Sequence, residues 1–104
     1  NKFCKKEKEI INLLENYTYN TSSELLYDEN KQEIKLAKKE ILLLNLFIKN
    51  CEKIVTFEHI EQYVWEGDLT TNESIRTLVK RLRKKLPKDT ITSQIGIGYK
   101  LQIS

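Results

Sequence analysis

Six Lys and Arg side chains fall between Asn72 and Leu86: Arg76, Lys80, Arg81, Arg83, Lys84 and Lys85. Glu73 is the one acidic residue among them, so the stretch carries +5 in a chain whose formal charge is +3. The rest therefore sums to −2, and the positive charge is a local feature. Cations at this density make and break no bonds. They neutralise phosphates, and a basic face of this kind is the electrostatic footprint of a nucleic-acid backbone. A solvated helix face is the other reading of the same charges, and charge alone leaves both open.

Other residues with chemical potential form no reactive set. His59 is the single histidine and has no cysteine or carboxylate at ligand spacing, so no metal site is expected. Asp and Glu are scattered among lysines, as on solvated helix faces. Gly96-Ile-Gly98 is too short for a phosphate-binding fingerprint and precedes a strand instead of a helix. No nucleophile stands with a base. The sequence reads as a binding protein, not an enzyme, with no cofactor. Cys4 and Cys51 lie far apart and outside any CxxC pattern, and they read as free thiols in a reducing compartment.

The elements that must position the cations follow from periodicity. Between Asn72 and Leu86 the apolar residues Ile75, Leu78, Val79, Leu82 and Leu86 form one helical stripe. Glu73, Thr77, Lys80 and Lys84 fall opposite, with Arg76 and Arg81 on the flanks. Pro87 stops this helix. Ahead of it, Lys38 to Asn50 predicts a buried helix with Ile41, Leu42, Leu44, Phe47 and Ile48 inward. Its Ala37 cap gives half a capping box with Glu40. Thr56 caps a second helix, Phe57 to Trp65, with Ile60 and Val64 inward, and residues 67–71 make a loop.

Tyr17–Asn20, Glu24–Asp28 and Glu33–Leu36 predict a three-strand antiparallel meander broken by a turn at residues 28–31. Residues 90–103 predict a hairpin with its tip around Ile95-Gly96. Lys2 to Asn16 reads as a short amphipathic helix or a charged linker. The fold class is therefore α+β, a winged helix-turn-helix with an N-terminal strand meander, three helices and a C-terminal hairpin wing. With 104 residues the chain holds one domain, placed at 17–104 after a linker or terminal helix at 1–16. The chain opens on Asn and is read as a piece of a longer protein. No apolar run approaches the ~18 residues of a membrane span.

These pieces resemble the OmpR/PhoB-type winged-helix effector domains of bacterial response regulators. The matching segments are Ile34-Lys-Leu-Ala-Lys-Lys-Glu40, Ile54-Val-Thr-Phe-Glu-His-Ile60, Val64-Trp65, Ser74-Ile75, Val79-Lys-Arg-Leu-Arg-Lys-Lys-Leu86 and Gly96-Ile-Gly-Tyr-Lys-Leu101. They keep family order and spacing over roughly residues 17 to 103.

The resemblance implies sequence-specific binding of double-stranded DNA for transcription regulation, as the cytoplasmic output domain of a two-component system. The third helix would enter the major groove and the wing would lie near the minor groove. Arg81 matches the position that reads base edges, with Arg76 and Thr77 also facing bases. Ser74, Lys80, Arg83 and, in the wing, Ser93 match phosphate-contacting positions. Trp65 matches a residue that can offer its indole N–H to phosphate or simply pack. Lys84 on the helix and Lys100 at the wing's base complete the expected DNA-binding set. The implied partners are RNA polymerase, touched by the 66–71 loop, a preceding receiver domain, and a second copy on tandem half-sites. No membrane contact is expected.

Three departures stand out. Ala37 replaces the usual cap threonine, which weakens that cap by about 0.5–2 kcal/mol. The loop after Trp65 is one residue shorter than in common members. Ile95 occupies the place where many members carry a wing arginine. A winged-helix protein-interaction module that binds no DNA, or a membrane-anchored regulator of the same class, remains the alternative.

Overall fold

The computed structural model describes residues 10–66 and 68–103. A four-stranded antiparallel sheet comes first, built from β1 (Ile10–Asn12), β2 (Thr18–Asn20), β3 (Leu25–Tyr27) and β4 (Glu33–Ile34) in that order. Three helices follow: α1 (Lys38–Lys49), α2 (Phe57–Val64) and α3 (Asn72–Lys84). A second sheet joins β5 (Ile54–Thr56), β6 (Ile91–Gln94) and β7 (Gly98–Leu101) in the order β5-β7-β6. This is the expected α+β winged helix-turn-helix.

The three expected strands are present, and Asp28 makes the turn between β3 and β4. Its Oδ1 accepts from the N–H groups of Asn30 and Gln32 at 2.8 and 2.9 Å. The N-terminal reading needs correction over residues 10–16. Instead of helix or linker, Ile10–Asn12 pairs antiparallel with β2, and Leu14–Asn16 is a short 3-10 turn. Ile11 and Leu13 are buried in the core. Two apolar residues at i and i+2, which a helix would have splayed apart, suit an edge strand with one face inward. Residues 1–9, the rest of that reading, lie outside the described residues.

Helix α1 is the centre of the molecule. Its inward set is wider than a single stripe: Leu43, Leu44, Leu46, Phe47 and Ile48 are buried, while Ile41 and Leu42 are only partly so. The helix contacts α2, α3 and β7 on its sides, and Tyr19 of β2 donates to Asn45 Oδ1 at 2.7 Å. With neighbours on several sides, it has little solvent-facing surface to leave polar. Burial pushes the Tyr19 hydroxyl's pKa up, with the Glu24 carboxylate adding to the effect.

The start of α1 is fixed by a buried acid. Glu40 is 3% exposed, accepts from the Ala37 N–H at 2.8 Å and pairs with Lys85 Nζ at 2.7 Å. Ala37 has no side-chain acceptor, so the capping box is half made. Lys85 Nζ also donates to the Lys35 carbonyl at 2.9 Å, tying the end of α3 to the start of α1. Lys85→Ala is expected to destabilise the domain by about 1 kcal/mol, because it strands the buried carboxylate. The loss stays well under that of a fully buried pair because the lysine is about a third exposed. Thermal unfolding of the variant measures it.

The free-thiol expectation fails at Cys51, which is buried and disulfide-bonded. Pairing depends on distance in space, which separation along the sequence does not report.

Candidate nucleic-acid interface

Helix α3 forms where it does because Thr71 caps it: Thr71 Oγ1 accepts from the Ser74 N–H at 3.1 Å. Ile75, Leu78, Val79 and Leu82 are buried along it, and Leu86 just past its end is buried too. That leaves Ser74, Arg76, Thr77, Lys80, Arg81, Arg83 and Lys84 exposed on the opposite side. Among the described residues Lys85–Glu40 is the ion pair present, so one of the six cations is spent internally and five remain without a carboxylate partner. Unneutralised cations along one ridge sum to the field that attracts a polyanion.

Two open grooves flank that ridge. One, on the wing side, is lined by Arg76, Lys80, Arg83, Lys84, Ser93 and Tyr99. The other is lined by Lys39, Trp65, Thr71, Glu73, Ser74, Thr77 and Arg81. Nine of the ten expected residues therefore surround a single helix. Lys100 does not join them. Its cross-strand partners are Thr92 and Ile54, and strand alternation puts it on the sheet face opposite Ser93 and Tyr99.

Two aromatic rings shape the cations. The Arg76 guanidinium lies 5.5 Å from the centroid of Phe57, whose ring meets Tyr99 edge-on at 5.7 Å and 86°. On the other flank Lys39 Nζ lies 5.2 Å from the Trp65 centroid. Lys39 was not expected from sequence. It stands on α1, and no local spacing links it to α3.

The wing is held by pairing that sequence did not predict. Strand β5 pairs with β7, matching Ile54 with Lys100, Val55 with Tyr99 and Thr56 with Gly98. Gly96 takes φ 76° at the tip, as a glycine turn requires. Ile95 beside it is 93% exposed, so it packs on nothing. His59 is exposed, and its backbone N–H donates to the Thr56 cap. No group of three or more metal-ligating side chains occurs among the described residues. No helix there is long and apolar enough to cross a membrane.

The sequence pattern of the family described as "Transcriptional regulatory protein, C terminal" matches residues 31–101. The chain is 39% identical over 70 residues to the response regulator protein PmrA of Pseudomonas aeruginosa, covering 65% of this chain and 31% of that protein. It is 38% identical over 80 residues to the transcriptional regulatory protein CssR of Bacillus subtilis, covering 76% and 36% respectively. The chain thus spans about a third of the length of these relatives. The crystal structure of the DNA-binding domain of Bacillus subtilis CssR superposes with a TM-score of 0.74 at 34% identity, covering 82% of this chain and 98% of that domain.

Proposed function

Because the chain belongs to the family of C-terminal domains of transcriptional regulatory proteins, the OmpR/PhoB-type winged helices, we propose that it binds duplex DNA sequence-specifically as the output domain of a response regulator. The observation that carries this reading is the ridge of α3: five cations without carboxylate partners among the described residues, on one face, between two grooves. In this reading α3 enters the major groove, where Arg81 reads base edges, and the wing lies over the neighbouring minor groove. Ser74, Lys80, Arg83, Lys84 and Ser93 hold phosphates. Lys100, on the far face of the wing, contributes only to the general field.

The functional unit runs over 17–104 with β1 added as its edge strand, and the segment ahead of β1 connects to a receiver domain. Two copies bind tandem half-sites about one helical turn apart, since one small module makes few contacts. The 66–71 loop is the surface offered to RNA polymerase, and the setting is the cytoplasm.

Titrating the chain with a random duplex and with sequences selected from a random pool, between about 50 and 200 mM salt, tests the reading. Neutralising about three phosphates, through Lys80, Arg83 and Lys84, predicts a slope of log affinity on log salt near about −2.7. A flat salt dependence, with no sequence enriched, would favour a protein-docking module instead.

Ile95 gives a smaller prediction. Isoleucine brings no charge to a narrow A·T-rich minor groove, whose negative potential attracts arginine. Ile95→Arg is expected to tighten binding by about 1 kcal/mol on sites with an A·T tract beside the major-groove contacts. Equal affinity on sites with and without the tract would mean that the wing does not reach the groove.

A further inference from the structure

The groove between α1, the end of α2 and α3 contains a cation that the family match and the sequence reading leave without a role. Lys39 sits in the first turn of α1, where a positive charge opposes the helix dipole. Helix stability therefore does not account for a lysine there. Its side chain has no carboxylate within 4.0 Å among the described residues, although Glu73 lines the same groove. Instead Nζ rests 5.2 Å from the ring centroid of Trp65, the half-buried residue that closes α2. An ammonium over an indole face is held by the ring quadrupole, and it keeps its N–H groups for a further acceptor. Thr77 and Arg81 of α3 line the groove beside it.

A helix lying in the major groove runs between two rows of phosphates, one on each strand. The wing-side groove, with Lys80, Arg83, Lys84 and Ser93, supplies cations toward one row. The Lys39 groove is on the other flank of the same helix, so in the docking proposed above it would face the second.

We propose that Lys39 is a phosphate-binding residue for the second DNA strand and that Trp65 is its positioning residue. The Trp65 ring holds the ammonium over the groove, and the ammonium contacts a backbone phosphate. This assigns to the tryptophan a role through its π face, where the family position implies a contact through the indole N–H. The assignment rests on the DNA-binding reading above.

Four variants of the full 104-residue chain test it on one selected duplex and one random duplex, each across a salt series: Lys39→Ala, Trp65→Phe, Trp65→Ala and the double alanine variant. Lys39→Ala should weaken binding about fivefold, equally on all sequences, and make the salt slope shallower by about one. Trp65→Phe keeps an aromatic face and should stay within about twofold of the unmutated chain. The double alanine variant should bind no worse than the weaker of the two single ones, because the two residues act as one unit. Lys39 is exposed, so its variant keeps the fold, and thermal unfolding identifies any loss at Trp65 that is merely structural.

An unchanged salt slope in Lys39→Ala overturns the clamp. Additive losses, or a loss in Trp65→Phe as large as in Trp65→Ala, overturn the positioning role, since the indole N–H would then be the contact. In those cases DNA binding by the unmutated chain still stands. Failure of the unmutated chain to bind any duplex overturns the DNA-binding reading and the clamp together.

Discussion

Arg81→Ala should lower affinity for the preferred operator by about 1–3 kcal/mol, roughly 5- to 150-fold, and relax base preference at the position it reads. Arg81 is exposed on α3 and lines the groove beside Thr77, with no carboxylate held against it among the described residues. Its planar fork can donate to guanine O6 and N7 together, a geometry that one ammonium cannot reproduce. Arg81→Lys is therefore expected to recover phosphate-like attraction without recovering the sequence preference. Lys80→Ala supplies the contrast. It should weaken all sequences alike and make the salt slope shallower by about one. Selection from a random duplex pool by each variant reads the difference. A motif unchanged in Arg81→Ala would show that the helix is docked in a different register.

Gly98→Ala should destabilise the domain by about 3 kcal/mol, at the upper end of overpacking effects, and lower Tm by roughly 10–20 °C. A Cβ built on Gly98 falls 2.0 Å from the Val55 carbonyl oxygen and 2.8 Å from Thr56 Cα. Both are backbone atoms of β5, so no rotamer change can make room, and β5 must separate from β7. That separation reaches the interface. Thr56 caps α2, the Phe57 N–H donates to the Ile97 carbonyl at 3.3 Å, and the Phe57 ring carries Arg76. DNA affinity should therefore fall along with Tm.

Gly96→Ala is the internal control. Its Cβ meets nothing within 4 Å, and only the φ of 76° opposes it, a cost of about 1 kcal/mol. Equal melting temperatures for the two variants would mean that the β5–β7 contact is looser than described.

The sequence by itself determined the helices and the side of α3 that faces out. A stripe of five apolar residues at helical spacing leaves one orientation for the cations between them, and burial of Ile75, Leu78, Val79, Leu82 and Leu86 follows from that period. Thr56 and Asp28 likewise announce their cap and turn locally, because each side chain bonds a backbone N–H within a few residues.

Tertiary structure alone decided the rest, through distances that no period encodes. Edge strand β1 and the short β5 exist because a partner strand is already in place. Neither has the length or alternation to declare itself in three residues. Lys85 looks like its neighbours in sequence, yet it is withdrawn from the interface by a buried glutamate on another helix. Lys39 is drawn in by a tryptophan that reaches it only after α1 and α2 pack together. The two wing glycines are the same residue two positions apart. One is needed for its own dihedral angle, and the other is needed because β5 passes too close for any side chain.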